Sequence, residues 1–377
     1  MRTASIVVFV FLLSSATASA QSRAPVRLDR PESVLPEDFS MIRGVRELSD
    51  GRVLVTDWTE QRLLLVDAGF GRVTSLASVG AGPAEFRLPG RLLPLAADST
   101  LLIDVGNSRL SVVTPQGRIV RSIAAERAGL GSPGGVDAAG RIYFAIPAWS
   151  PEARGTPEDS TRIVRFDPRT GQNTPLTIVR GTTFPRNKGP RHTPGIGHVA
   201  FAPEDAWRVT PDGVLVVVRA SGYRVDRLGP AGWSSGPSYA YPAERVTKAD
   251  RLAYVRDFMA RAPMSGRGPD GGMGHSPPMS AAEIAQVVET NEFAPELPPF
   301  NPAWVFLAPD GELWVGRSRH AGGPVLYDRF DTTGKRLGQV RLDGNRLVTG
   351  VGRRFVYVAA TGEEGLQRLE RFSRPAS

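Results

Sequence analysis

One β-strand pattern recurs six times along this chain, and it limits the folds that the chain can adopt. Each copy holds two short apolar runs separated by a few turn-forming residues, as in 101–103 followed by 109–113. Such runs, bounded by Gly, Pro, Asn and Asp, predict antiparallel strands. The first runs are residues 53–56, 101–103, 142–145, 214–218, 313–315 and 355–359, and the second runs are 62–66, 109–113, 162–166, 224–228, 325–330 and 367–372.

The turns that precede several copies strengthen this interpretation. Asp-Gly pairs stand before the first run at 50–51, 212–213 and 310–311, and Asp-Gly between apolar runs is a strong hairpin signal. A four-stranded meander that repeats at about forty residues or more is typical of the blades of a β-propeller. We therefore predict an all-β fold, a six-bladed β-propeller. Because the last copy has room for only three strands, we expect an N-terminal strand, Val26 to Leu28, to complete the sixth blade.

A segment at about 242–300 interrupts the pattern between blades four and five. Apolar residues at helical spacing predict a helix over 242–261, with Pro242 at its first position. Ser280 and Glu283 form a capping-box sequence that predicts a second, short helix. The Gly-, Pro- and Met-rich residues 262–279 between them suit a flexible loop. The insertion is interpreted either as a packed decoration or as a lid over one end of the propeller channel.

The N-terminus has the pattern of a secretory signal peptide. Arg2 precedes the apolar residues 6–13, and Ala18-Ser19-Ala20 forms a small-x-small cleavage site. We predict a signal peptide over 1–20, cleavage after Ala20, and a mature propeller domain over 21–377 in the periplasm or outside the cell. An uncleaved anchor is the alternative. The chain has no Cys, which excludes disulfides, thiolate metal sites and a lipid-modified cysteine.

The charge of the chain restricts its partners. Its net charge is +8, with 46 Lys and Arg residues against 38 Asp and Glu residues. The arginines are scattered, often next to an acidic residue, and no basic run of the kind that binds nucleic acid occurs. We therefore predict no nucleic-acid partner. Because no second long apolar run occurs, we also predict no stable membrane insertion after cleavage. Separately, we expect a monomer.

Two segments resemble those of a known group of propellers. Gly80–Phe86 reads GAGPAEF, and the residues from Asp104 to Leu110 read DVGNSRL, with a weaker form of the second segment at 57–63. On these residues the chain resembles the bacterial six-bladed propeller proteins related to NHL-repeat proteins. The resemblance implies a six-bladed propeller, and propellers of this group mostly act as binding platforms or have no assigned role.

A second analogy concerns metal chemistry. Six-bladed propellers of the lactonase type hold a divalent cation with oxygen ligands from inner strands, and Ca²⁺ prefers such ligands. By this analogy Asp57, Asp104 and Asn107 are the candidate metal ligands. In the alternative interpretation, Asp104 and Asn107 satisfy turn backbone groups and Arg109 pairs with a nearby carboxylate. The four histidines show no zinc-site spacing.

The aromatic residues offer candidate binding contacts. Trp58 and Trp149 follow predicted second strands and fall in loops, so they are the candidate ligand or partner contacts. The predicted function is an exported binding or scaffold module for a protein or small-molecule partner at the channel mouth. The alternative is a Ca²⁺-dependent lactonase- or esterase-like hydrolase. We expect no cofactor under the first hypothesis and Ca²⁺ under the second.

Overall fold

The predicted fold is confirmed: six four-stranded antiparallel blades form a closed ring. This computed structural model describes residues 24–124, 133–148, 150–151, 154–185, 196–261 and 279–376. The predicted signal peptide lies outside these residues. Two N-terminal strands precede the first blade, and they are β1 (Val26–Arg27) and β2 (Ser33–Phe39).

Each of the first three blades is a consecutive meander. Blade 1 consists of β3 (Ile42–Glu47), β4 (Val53–Asp57), β5 (Arg62–Val66) and β6 (Val73–Leu76). A small parallel pair follows, formed by β7 (Ser78–Val79) and β8 (Glu85–Phe86). Blade 2 consists of β9 (Pro89–Pro94), β10 (Thr100–Asp104), β11 (Arg109–Val113) and β12 (Ile119–Ala124). Blade 3 consists of β13 (Pro133–Val136), β14 (Ile142–Pro147), β15 (Ser160–Asp167) and β16 (Gln172–Arg180).

The remaining blades frame the insertion. Blade 4 consists of β17 (Ala206–Val209), β18 (Leu215–Arg219), β19 (Arg224–Gly229) and β20 (Gly232–Ser235). Two helices follow, α1 (Lys248–Arg261) and α2 (Ala281–Thr290). Blade 5 consists of β21 (Phe300–Leu307), β22 (Leu313–Arg317), β23 (Val325–Phe330) and β24 (Arg336–Leu342). Blade 6 has β25 (Arg346–Val351), β26 (Phe355–Thr361) and β27 (Gln367–Ser373), and it takes its fourth strand from the N-terminal segment.

The first strand of each blade lies nearest the central channel. These innermost strands are β3, β9, β13, β17, β21 and β25, and each contacts the innermost strand of both neighbouring blades. The second strands are almost entirely buried, and their side chains alternate between the two adjoining interblade cores. In β4, for example, Val53 and Val55 pack toward blade 6, whereas Leu54 packs toward blade 2.

The prediction that an N-terminal strand completes blade 6 was right, but the predicted residues, Val26 to Leu28, were wrong. Val26 and Arg27 pair with Val340 and Arg341 in parallel at the outer edge of blade 5. The strand that completes blade 6 is β2, which runs antiparallel to β27. Its Pro36 lies on the outermost strand, where a missing N–H costs no ladder hydrogen bond. The buried residues of β2 fill the core between blades 6 and 1, which the 26–28 segment does not reach.

The insertion prediction needs one correction. The short helix begins at Ala281 with the predicted capping box between Ser280 and Glu283. The longer helix begins at Lys248 rather than at Pro242, because Thr247 and Asp250 exchange hydrogen bonds that set its first turn. Residues 262–278, which are nearly all of the predicted loop between the two helices, lie outside the described residues. No helix in the described part of the chain is long and apolar enough to cross a membrane.

The closing strand provides a direct test of the ring. Leu35 in β2 is fully buried in the core between blades 6 and 1, whereas its neighbour Val34 is 43% exposed. We expect Leu35→Ala to lower the free energy of unfolding by about 2–5 kcal/mol, because it leaves a cavity at the seam of the ring. The matched control Val34→Ala should cost about 0.5 kcal/mol or less. Urea unfolding measures both, and equal costs for the two variants would contradict β2 as the closing strand.

Candidate binding face and central channel

Most of the candidate residues lie at one end of the ring. In a four-stranded meander, the turn from the second to the third strand emerges at the same end as the connection to the next blade. We call this end the top face; in blades 1 and 2 it comprises residues 58–61, 80–88 and 105–108. Asp57 and Asp104 are the last residues of β4 and β10, at the top face. The helical insertion also leaves and re-enters the ring at this end.

Asp104 is the centre of a buried polar network in blade 2. Its side chain is fully buried, and it pairs with the cross-strand neighbour Arg109 at 2.8 Å. It also accepts hydrogen bonds from the Arg87 backbone N–H at 2.8 Å and from Asn107 Nδ2 at 2.9 Å. A buried carboxylate is stable only when it is paired and hydrogen-bonded, and all three donors meet that need.

Asn107 and Arg109 extend this network to the connection between blades 1 and 2. Asn107 Nδ2 also donates to the Gly80 carbonyl at 2.9 Å. Arg109 donates to the carbonyls of Ala81, Gly82 and Glu85 at 3.2, 2.8 and 2.7 Å. The Asp-x-x-Asn-x-Arg sequence of blade 2 therefore fastens the Gly-rich connection to the second strand.

Asp57 forms a separate network in blade 1. Its buried carboxylate accepts hydrogen bonds from the backbone N–H groups of Ser40 and Met41, at 2.9 and 3.1 Å, and from those of Thr59 and Glu60, both at 3.2 Å. It also pairs with Arg62 at 3.1 Å. Asp57 thus anchors the connection that leads from the closing strand β2 into blade 1.

The two networks do not fit a calcium site. The fold brings Asp104 and Asn107 together through a hydrogen bond, but Asp57 makes no hydrogen bond to either of them. The oxygens of both aspartates face N–H groups and a guanidinium, which a cation would have to displace. Within the described residues, no group of three or more His, Cys, Asp or Glu side chains is placed to hold a metal ion. The metal role of the three residues stays a prediction without support from their contacts.

Blades 4 and 5 keep the ion pair with its polarity reversed. The last residue of β18 is Arg219, which pairs with Asp205 of the preceding connection at 3.0 Å and with Asp226 at 2.9 Å. In blade 5, the last residue of β22 is Arg317, and it pairs with Asp328 at 3.3 Å. This reversal explains why the Asp-x-x-Asn-x-Arg sequence is absent from these blades although the interaction is present.

Trp58 lies at the top face beside the channel wall. Trp58 is partly buried, and its backbone N–H donates to the Met41 carbonyl at 2.8 Å. The Arg43 guanidinium lies 5.2 Å from the centroid of the Trp58 ring. Arg43 belongs to β3, so this cation–π pair joins the innermost strand to the top-face turn. The second candidate aromatic, Trp149, lies outside the described residues.

The insertion is attached to the top face through a histidine. His320, in the turn between β22 and β23, contacts Asp250 of α1 and Glu244, each at 2.8 Å. The hydrogen bond that His320 donates to Asp250, together with the two negative charges, raises the pKa of His320. Burial would raise the pKa of Asp250, but the hydrogen bonds from Thr247, Ala321 and His320 outweigh it and lower the pKa to about 2.

A small apolar core joins the insertion to the connection between blades 3 and 4. His198 packs edge-on against Tyr254 and Phe258 of α1, and its Nε2 lies 2.6 Å from the Tyr254 hydroxyl. Burial lowers the pKa of His198 and, with the negative charge of Glu204, raises the pKa of Tyr254 to about 12. Both side chains are therefore neutral near pH 7, as suits a packed interface.

Sequence reasoning missed the arginines of the innermost strands. Arg91 and Arg208 are the third residues of β9 and β17, and both belong to the channel wall. The usable signal was a basic residue in a strand that is otherwise apolar or glycine-rich, in Pro89–Pro94 and Ala206–Val209. Only the order of strands within each blade shows that these positions face the centre of the ring.

The network around Arg109 yields a stability prediction. We expect Arg109→Ala to lower the free energy of unfolding by about 3 kcal/mol, because it leaves the buried Asp104 without its cation. Arg109→Lys should recover only part of the loss, since an ammonium group cannot replace the planar fork. The matched control is Arg118→Ala, which removes an exposed arginine of the same blade and should cost about 0.5 kcal/mol or less. Urea unfolding compares them; a neutral Arg109→Ala would contradict the network.

The His320 contact predicts a pH-dependent attachment of α1. Because folding raises the pKa of His320, its contribution is complete below the ordinary value of 6.5 and is lost as the pH rises through the raised value. His320→Gln should therefore speed amide hydrogen exchange in α1 below about pH 6.5 and should match the wild type well above it. Each comparison is made at one pH, with Lys248→Gln on the same helix as control. An equal difference at every pH would show that charge plays no part.

The comparisons with known proteins support the fold alone. No protein-family model matches this chain, and no curated protein matches it. A member of the DUF4221 family from Bacteroides vulgatus is 12% identical, with 92% of this chain and 98% of that chain covered and a TM-score of 0.51. Regucalcin, a calcium-binding protein from Agrobacterium tumefaciens, is 12% identical over 93% and 97% of the two chains, with a TM-score of 0.41. Virginiamycin B lyase from Staphylococcus aureus is 12% identical over 92% and 88%, with a TM-score of 0.37.

Proposed function

We propose that this protein is an exported binding module whose ligand or protein partner docks on the top face at the mouth of the channel. The observation that carries the proposal is the pairing of Trp58 with Arg43. It places a large aromatic ring and a cation together where the innermost strand of blade 1 reaches the top face. Aromatic and arginine side chains supply much of the binding energy at recognition sites.

Exposed apolar residues in the connection and the turn at this end of the ring support the same surface. Val79 is 50% exposed in the connection between blades 1 and 2, and Val105 is 41% exposed in the neighbouring turn of blade 2. The network around Asp104 holds both of these segments in place, and the network around Asp57 holds the turn that contains Trp58. A surface that is fixed before binding loses little conformational entropy when a partner docks.

The relation to NHL-repeat proteins is part of this proposal. It rests on the Asp-x-x-Asn-x-Arg sequence of blade 2, whose three polar residues work as one unit around Asp104. Export is likewise proposed from the N-terminal sequence, with cleavage after Ala20. Neither proposal depends on the structural neighbours, whose similarity concerns the fold.

The alternative function is a Ca²⁺-dependent lactonase- or esterase-like hydrolase. Its candidate ligands are engaged by Arg62, Arg109 and backbone N–H groups, so no contact in the described residues favours it over binding. A bound cation would stabilise the folded protein by an amount that rises with the logarithm of its concentration above the dissociation constant. A higher melting temperature with Ca²⁺ than with EDTA, together with EDTA-sensitive turnover of a lactone, would favour the hydrolase over the binding module.

The binding proposal is tested with matched tryptophan variants. Immobilised wild-type protein is exposed to a periplasmic extract, retained molecules are identified by mass spectrometry, and the affinity of each is then measured with the purified molecule. We expect Trp58→Ala to weaken binding by about tenfold or more, because it removes the aromatic anchor. Trp233→Ala is the control, since Trp233 is 44% exposed on the outermost strand of blade 4, away from the channel. Retention that is unchanged in Trp58→Ala would refute this site.

A further inference from the structure

Two arginines on non-adjacent blades approach each other inside the ring. Arg91 lies on the innermost strand of blade 2 and Arg208 on the innermost strand of blade 4. They are close enough for the charge of Arg91 to act on Arg208. The innermost strand of blade 3 contacts the innermost strands of both blades, so the two arginines flank it on the channel wall.

The wall between them carries little side-chain volume. The innermost strand of blade 3 contains Gly134 and Gly135, and the neighbouring strand packs tightly against both. A Cβ on Gly134 would lie 2.2 Å from the Trp207 ring, and a Cβ on Gly135 would lie 2.7 Å from Val209 Cβ. Both glycines are thus required by packing, and no acidic side chain can occupy these two positions to balance the arginines.

The two guanidinium groups have no acidic partner. In the part of the chain that the structure describes, neither Arg91 nor Arg208 forms an ion pair, although most of the other buried or half-buried arginines do. Arg208 donates to the Trp207 carbonyl at 2.6 Å and to the Val305 carbonyl. Arg91 has an exposed side chain even though the protein surrounds it, as expected for a group that faces water inside the channel.

Their charge is held at a cost. Burial lowers the pKa of Arg91, and burial followed by repulsion from Arg91 lowers the pKa of Arg208 well below its ordinary value. Two like charges that lie near each other repel, and a bound anion would remove that repulsion. A guanidinium also presents its N–H groups in the planar arrangement that matches a carboxylate or phosphate.

We infer that Arg91 and Arg208 form an anion-binding site in the central channel, which takes the carboxylate or phosphate group of a small ligand. This inference rests on the proposed binding function and adds the charge of the ligand to it. The site lies on the channel wall and is separate from the Trp58 surface, so the two can fail independently. The positive net charge of the protein favours the approach of anions at long range.

The experiment measures the binding of inorganic phosphate and of acetate to the full mature protein at constant ionic strength. Isothermal titration and the melting temperature are the two readouts, and chloride is the reference anion. We expect one phosphate or acetate to bind per protein and to raise the melting temperature more than chloride does. Stabilisation by phosphate without acetate assigns the site to phosphate groups, and the reverse assigns it to carboxylates. No stabilisation beyond that of chloride overturns the inference.

Variants of Arg91 locate the site. Arg91→Gln should weaken oxyanion binding by about tenfold or more, because a charge-assisted hydrogen bond is lost. It should also leave the anion-free melting temperature unchanged or higher, since it removes an unpaired charge. Arg121→Gln is the matched control, because it removes an exposed arginine of the outermost strand of blade 2. Equal oxyanion binding by both variants, or an anion-free Arg91→Gln protein that melts lower than the control, overturns the inference whatever the outcome for Trp58.

Discussion

The structure depends on the burial of both faces of every blade. Each of six apolar cores is shared by two neighbouring blades, so no blade can cover its side chains alone. The core between blades 6 and 1 exists only if the two ends of the chain meet, and β2 supplies Leu35 and Phe39 to it. Closure therefore couples the N-terminal segment to the stability of the whole ring, and it leaves no open pair of terminal blades.

In blades 1, 2, 4 and 5, buried ion pairs hold the turns of the top face. Asp57 and Asp104 each end a second strand and collect N–H donors from a turn and from the connection to their blade. In blade 4, Arg219 occupies the corresponding strand end and finds its acids in the connection and the third strand. A buried charge at the end of a second strand must be balanced by its neighbours. Either an aspartate or an arginine can stand at that strand end. Acidic residues at such positions can therefore resemble metal ligands while they organise loops.

The channel differs from the top face in its charge balance. Around the rim, arginines are matched with carboxylates or lie against aromatic rings, as Arg43 does with Trp58. On the inner wall, Arg91 and Arg208 flank the glycine-bearing strand of blade 3, and neither forms an ion pair within the described residues. A bound anion would remove the repulsion between two such charges, which is the basis of the proposed anion site. The rim therefore carries the proposed aromatic contact, and the wall carries the proposed cationic site.

The sequence alone determined the repeat and therefore the fold. Short apolar runs with Asp-Gly turns can bury both faces only when stacked around a ring, and the number of copies set the number of blades. It also located the insertion and the Ser280 capping box, because both are local features. It could not decide which N-terminal segment closes the ring, since β2 carries the charged residues and the proline of an outermost strand. Nor could the sequence show whether Asp104 is a metal ligand or a structural anchor, or that Arg91 lies near Arg208. Both outcomes depend on contacts between segments that are distant in the chain.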